Sequence, residues 1–266
     1  MRFAILTDIH LGPEGHYQDV IRKISKDVKL FLDEFIQEIN AKEKPDFLIV
    51  LGDLIEDDTP KNDKANITFI VKKLKEIKCP VYYVAGNHDL KGLSEKELTA
   101  LLSHPKLFYS YDAKGYHFIV LFSKRTQDEI TIIPKKQVQW LESDLEKTKK
   151  KCVVFVHHGL AEQNLKGNPW FEGRPNACLI HNRDEVRRIL EKSGKVLAVF
   201  NSHLHWDKKH VHETIPYFTI QSFVENEGNK SIPSKAFAII DIEPNKILVE
   251  VKGNYPKKFS HEFKRN

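Results

Sequence analysis

Two spacings in this chain put metal-ligating side chains two residues apart, Asp8-Ile9-His10 and His203-Leu204-His205. In extended backbone, residues i and i+2 point to the same face, so each pair is expected to reach one centre. Three further segments carry the same kinds of donor: Gly52-Asp53, Gly86-Asn87-His88-Asp89 and His157-His158. Carboxylate, imidazole and amide oxygen without any thiolate suit Mn, Fe, Zn or Co, with Mn or Fe favoured, and argue against a cysteine-built structural zinc site. The pool of Asp8, His10, Asp53, Asn87, His157, His203 and His205 is too large for one four-coordinate ion. It suits two metals sharing a bridging carboxylate. Each segment alone has an ordinary reading, as a turn or an edge-strand pair. Five of them at strand ends form the signal.

The elements that must position these residues are legible as apolar runs. Phe3 to Thr7, Phe47 to Leu51 and Val81 to Val84 read as strands. Between them, Val20 to Ile39 and Asn66 to Ile77 show helical spacing, giving a parallel sheet with crossover helices. Strands follow at Phe108 to Tyr111, Tyr116 to Phe122, Cys152 to Val156 and Val196 to Phe200. Helices are expected from Pro134 through Leu145 and over Asp184 to Leu190. After His205, four short strands without helices suggest a second, mainly antiparallel portion. No repeat or linker is visible, so one domain is expected over residues 1–254, with a fraying basic tail at 255–266. In open α/β sheets ligands bind beyond the carboxyl ends of strands, so the five donor segments should converge. Glycine before Asp53 and before Asn87 permits a tight turn there.

Composition narrows the class. Among 266 residues, 41% are hydrophobic and 30% charged, which describes a soluble globular protein and excludes a mostly disordered one. No apolar run approaches the roughly 20 residues needed to cross a bilayer. The start reads as a strand, so a cytoplasmic protein without membrane attachment is expected. Cys79, Cys152 and Cys178 are too scattered for a disulfide framework. The net charge of +5 is spread through mixed segments such as Lys72-Lys73-Leu74-Lys75-Glu76. That pattern reads as a solvated surface, and nucleic acid is not favoured as a partner. The sequence is silent on oligomeric state.

Taken in order, Asp8-Ile9-His10, Gly52-Asp53, Gly86-Asn87-His88-Asp89, His157 and His203-Leu204-His205 resemble the five blocks of the calcineurin-like metallophosphoesterases. The resemblance covers residues 1–225 and is nearest the phosphodiesterase-type branch. It implies an α/β fold, a four-layer α/β/β/α sandwich of two mixed sheets flanked by helices. It also implies two divalent metals, with Asp8, His10 and His205 on one, Asn87, His157 and His203 on the other, and Asp53 bridging. His157 is preferred to His158 because it is the first residue past its strand. The chain departs from the family in having Ser202 where Gly is usual, and Gly159 where many phosphodiesterases have Pro. Asp53-Leu54-Ile55-Glu56-Asp57 lacks the arginine of the protein-phosphatase branch.

The expected reaction is hydrolysis of a small phosphodiester by a metal-bound hydroxide: a cyclic nucleotide, a nucleoside-diphosphate derivative or a glycerophosphodiester. His88 is the candidate for protonating the leaving oxygen or stabilising the transition state. Asp89 is expected to hold the His88 ring, the alternative being a helix cap. Asn168, Trp170, Phe171 and Arg174, on the long loop after His157, are candidates for substrate contact, unless the aromatics pin the loop itself. His16, Tyr17 and Trp206 are weaker candidates. The rival functions are a metal-dependent nuclease and a catalytically silent scaffold that binds a protein.

Overall fold

The computed structural model describes residues 1–226, 228 and 231–263. Two six-stranded sheets carry the architecture. The first runs, in spatial order, Lys257–Glu262, Lys246–Lys252, Phe237–Ile242, Arg2–Leu6, Leu48–Val50 and Val81–Tyr83. The second runs Lys208–His212, Ile215–Thr219, Val196–Asn201, Cys152–Phe155, Tyr116–Val120 and Tyr109–Ala113. Both are mixed. Arg2–Leu6, Leu48–Val50 and Val81–Tyr83 are parallel in the first, and Tyr116–Val120, Cys152–Phe155, Val196–Asn201 and Ile215–Thr219 in the second.

The parallel strands are mostly apolar because both of their faces are covered. Phe3, Ile5, Phe47, Phe118, Phe155 and Phe200 meet between the sheets. Their neighbours Ala4, Leu6, Leu48 and Val50 face outward onto the helices Val28–Glu38 and Pro60–Leu74. Val154, Val156 and Val199 face outward onto Lys135–Lys147 and Arg183–Ser193. Helices, sheet, sheet and helices make the expected four layers. No helix among the described residues is long and apolar enough to cross a membrane.

Several expectations need correction. The helical spacing from Val20 misleads at its start. Val20–Lys23 is a strand paired with Gly15–Tyr17, and the helix begins at Val28. Arg22 and Lys23 are ion-paired to Glu225 and Glu56 there, ties across the fold that a local spacing rule does not register. The second helix spans Pro60–Leu74, earlier than expected, with the Thr59 side chain accepting the Asn62 N–H and proline at the first turn. The strands after His205 do not form a separate portion. Lys208–His212 and Ile215–Thr219 extend the second sheet, while Phe237–Ile242 and Lys246–Lys252 extend the first. Part of the basic tail, Lys257–Glu262, is an edge strand whose Lys257, Phe259 and His261 are half-buried in alternation. Lysines on such an edge discourage pairing with another chain.

Candidate active site

The donor segments meet where the parallel strands of the two sheets end. The backbone that delivers them is not extended. Asp8 (φ 49°), His10 (φ 45°), Asp53 (φ 50°), His203 (φ 66°) and His205 (φ 56°) all lie in the left-handed region. For residues other than glycine this is uncommon and costly, and such strain clusters at functional sites. Asp8 and His10 therefore do not converge through strand alternation. Each turns sharply beyond the strand, held by Asp8 N–H to Gly52 O at 3.0 Å and His10 N–H to Asp53 O at 3.1 Å.

The two glycines are needed for more than turning. A β-carbon on Gly52, itself at φ +98°, would sit 2.4 Å from His157 Nδ1, and one on Gly86 would sit 2.1 Å from Asp53 Oδ1. Both positions must stay bare for the side chains to meet.

Asp53 is central. Its Oδ2 lies 3.2 Å from His157 Nε2, 3.8 Å from His10 Nε2 and 4.0 Å from His88 Nε2. On one side, Asp8 Oδ1 is 3.4 Å from His205 Nε2, and His205 Nε2 is 3.1 Å from His10 Nε2. On the other, Asp53, His157 and His203 bring donor atoms within 4.8 Å of one another, as do Asp8, His10 and His205. Asn87 lies between Gly86, packed on Asp53, and His88, whose N–H donates to Asp53 Oδ1 at 2.9 Å. His158 lies beside them, its Nδ1 2.8 Å from Ser123 Oγ and its ring 4.1 Å from that of His203.

Each histidine of the cluster has its other nitrogen engaged from behind. His10 Nδ1 is 2.8 Å from Glu56, and His205 Nδ1 is 2.6 Å from Glu225. His157 Nδ1 donates to Leu51 O at 2.9 Å, and His203 Nε2 donates to Ala177 O at 3.2 Å. Such partners select the tautomer and aim the free nitrogen inward. Ser202 takes part, with Oγ donating to Leu51 O at 2.9 Å and lying 3.0 Å from His157 Nδ1.

What faces inward is unsatisfied. Asp8 Oδ1, Asp53 Oδ2, Asn87 Oδ1, His157 Nε2 and His203 Nδ1 are buried without a hydrogen-bond partner among the described residues. Orphan buried polar atoms are costly and rare. Five converging ones, mostly anionic oxygen and imidazole, fit divalent cations.

The electrostatics agree. Burial alone would raise Asp53, but His157, His88 and His10 outweigh it and hold the carboxyl well below its ordinary value. Burial likewise opposes charge on His157 and His205. Asp53 still lifts His157 to about 9, and Asp8, with Glu225, lifts His205 to about 9. His203, buried beside His158 and His157, is driven well below the ordinary imidazole value. A cation would displace the protons that His157 and His205 otherwise hold.

Asp89 and His88, expected to act as a pair beside the metals, have other partners in the structure. Asp89 does not touch the His88 ring. Its Oδ1 accepts the Leu54 N–H at 2.7 Å and its Oδ2 the Gly86 N–H at 2.8 Å, so it clamps two donor loops together. Burial, with Asp53 nearby, pushes its pKa up to about 7. His88 Nδ1 is tethered instead by Asp57, and its Nε2 lies 3.4 Å from Lys23 Nζ.

The long loop follows the self-pinned reading. Asn168 donates to Leu204 O at 2.9 Å and accepts the N–H groups of Trp170 and Phe171. Trp170 Nε1 donates to Glu225 at 2.8 Å, and the Phe171 ring lies 4.8 Å from that of His203. Arg174 is exposed. Gly159 N–H donates to Cys178 O at 3.1 Å, anchoring the far end of the loop, a bond proline could not make. Tyr17 packs on Trp170, Trp206 is buried, and His16 is exposed. Glu56, Asp57, Glu225 and Lys23 were not singled out in the sequence. Only Glu56 and Asp57 carried a signal, by following Asp53 in one loop.

Comparison with known proteins accords with this geometry. The calcineurin-like phosphoesterase family model matches residues 1–207. A probable cyclic nucleotide phosphodiesterase of Fibrobacter succinogenes is 26% identical over 208 residues, covering 77% of this chain and 73% of that protein. The DNA double-strand break repair protein Mre11 of Sulfurisphaera tokodaii is 32% identical over 171 residues, 59% of this chain but 40% of that protein. Among solved structures, a dimetal phosphatase from Danio rerio shares the fold at a TM-score of 0.79, with 15% identity and 99% of each chain covered. With a family model matching most of its length and every donor block in place at the strand ends, this chain belongs to the calcineurin-like phosphoesterases.

Proposed function

We propose that the chain is a dinuclear-metal phosphodiesterase acting on small phosphodiesters, cyclic nucleotides first among them. The observation that carries this reading is that Asp53 Oδ2 and four further buried atoms on the neighbouring loops, Asp8 Oδ1, Asn87 Oδ1, His157 Nε2 and His203 Nδ1, lack a hydrogen-bond partner among the described residues. Asp8, His10 and His205 would hold one cation, and Asn87, His157 and His203 the other, with Asp53 between them. Bound there, two divalent cations would polarise the phosphoryl group and activate water as the nucleophile. The names of relatives, such as the Fibrobacter phosphodiesterase, support the diester preference.

The chain's own residues supply the rest. Asp57 holds His88 by Nδ1, and Nε2, which now lies 3.4 Å from Lys23 Nζ, would exchange that contact for the phosphoester and protonate the leaving oxygen. Asp89 keeps the loops of Asp53 and Asn87 in register. Glu56 and Glu225 orient His10 and His205. A silent scaffold has no need of such donors, and all seven are present.

The test is a panel of bis(p-nitrophenyl) phosphate, a phosphomonoester, cyclic nucleotides and pyrophosphates, assayed with added Mn²⁺. Turnover of diesters above the others supports the proposal, and turnover of the monoester alone overturns the diester preference. The similarity to Mre11 favours a nuclease as the second reading. DNA cleavage with affinity falling steeply as salt rises would establish it.

A further inference from the structure

A cavity of about 470 Å³ opens beside Asn87, between the loop that carries Gly86 to Glu95 and the hairpin Lys124–Arg125/Thr131–Ile132. A second cavity, beside His205 and Glu225, has about 180 Å³. Ligand pockets for drug-sized molecules run from about 300 to 1,000 Å³, so of these two cavities, which are lined by residues of the cluster, only the first has room for the organic part of a substrate. Its wall continues into the donor cluster: Ser123 lines it and holds His158, whose ring is 4.1 Å from that of His203.

The lining defines what fits. Leu90, Leu93 and Phe122 supply apolar surface. Thr126 Oγ1 is buried without a hydrogen-bond partner among the described residues. Three cations line the cavity, and each has a carboxylate: Lys124 with Glu95 at 2.6 Å, Arg125 with Glu129 at 3.5 Å and Lys91 with Asp57 at 2.9 Å. A groove that follows a nucleic-acid backbone needs uncompensated positive charge, and a second phosphate would need it too. This cavity offers apolar surface and hydrogen-bonding groups with its charges balanced.

We infer that this cavity binds the uncharged organic group of the substrate, a nucleoside-sized moiety, and that the 124–132 hairpin sets substrate selectivity. The inference rests on the phosphodiesterase reading for its substrate and on the cavity's own lining for its chemistry.

The test compares two diesters with the same leaving group, thymidine 5′-(p-nitrophenyl phosphate) and methyl p-nitrophenyl phosphate. Both are assayed with wild-type protein and with Thr126→Trp, which fills the cavity. The ratio of kcat/KM for the nucleoside diester to that for the methyl diester should fall by about tenfold or more in the variant. In parallel, calorimetric titration with thymidine alone should show binding to wild type that Thr126→Trp weakens by a similar factor. Asp53→Asn should keep this thymidine binding, because the probe carries no phosphate. Should Thr126→Trp lose its native circular dichroism, Gln127→Trp on the same hairpin takes its place. A ratio that stays put, or wild-type protein that fails to bind thymidine, overturns the inference. If neither diester is hydrolysed while thymidine binds wild type and not the variant, the cavity stands and the phosphodiesterase reading falls.

Discussion

The imidazoles on the Asp8 side of the cluster are backed by carboxylates, and those on the far side of Asp53 by backbone carbonyls. Glu56 stands behind His10 and Glu225 behind His205, whereas Leu51 O and Ala177 O stand behind His157 and His203. Either partner fixes the ring's orientation and raises its basicity, and a carboxylate adds a negative charge behind the ring. On the proposed two-metal reading, the added charge of Glu56 and Glu225 is expected to hold the cation on the Asp8 side more tightly. His117, outside the cluster, offers a different contrast. Its Nδ1 meets Asp112 at 2.7 Å and its Nε2 meets Asp144 at 2.8 Å. His117 has both nitrogens satisfied by acids, whereas His157 Nε2 and His203 Nδ1 are buried without a hydrogen-bond partner among the described residues.

The largest effect should come from the carboxylate common to both sides. Asp53→Asn should cost activity well beyond the roughly 10–100-fold typical of losing a backing group, and elemental analysis should find both metals depleted. Asp58→Asn is the control, because Asp58 Oδ2 accepts from Asn62 in the same loop. Equal effects at the two positions would remove Asp53 from the centre. Asp57 cannot serve as that control, since it tethers His88.

His88→Ala tests a residue assigned to neither metal. Both ions should remain, and an alkyl diester should slow by about 10²–10⁴-fold. Bis(p-nitrophenyl) phosphate should slow much less, because its leaving group departs without a proton. Metal loss alongside activity would make His88 a ligand instead.

Glu225→Gln sharpens the comparison of the two sides. It should weaken one metal by about 10–100-fold and erase the difference between the two release steps in a chelator titration. Ser202→Gly should act more weakly, and on the other metal, through the hydroxyl shared with Leu51 O and His157. If both substitutions loosen the same ion, the division into sides is wrong.

The smallest effect concerns His117. Hydrogen bonding to Asp144, against partial burial and with help from Asp112, raises its pKa above the ordinary imidazole value. A raised folded pKa stabilises the protein fully below the unfolded value of about 6.5 and ceases to do so as pH climbs through the folded value. Thermal melts of His117→Gln should therefore fall short of wild type most below about pH 6.5, with the gap closing at higher pH. A gap that widens with pH would mean that His117 is buried neutral.

Residue type and order along the chain were enough to single out polar residues that the fold brings together at strand ends. Apolar runs mark strands wherever both faces of a sheet are buried, and chain connectivity then says which ends share a rim. That local logic failed where distant residues decide the conformation. Asp8 and His10 converge because both adopt left-handed backbone held against Gly52 and Asp53, which strand alternation does not describe. Val20–Lys23 is extended although its apolar spacing continues a helix, and Lys257–Glu262 pairs at a sheet edge although its composition reads as a tail. The groups behind the histidines were legible least of all. Glu225 meets a ring twenty positions away and Leu51 O one more than a hundred away. A backing partner needs only a carboxylate or a carbonyl, which almost any stretch of chain supplies, so packing alone decides which one arrives.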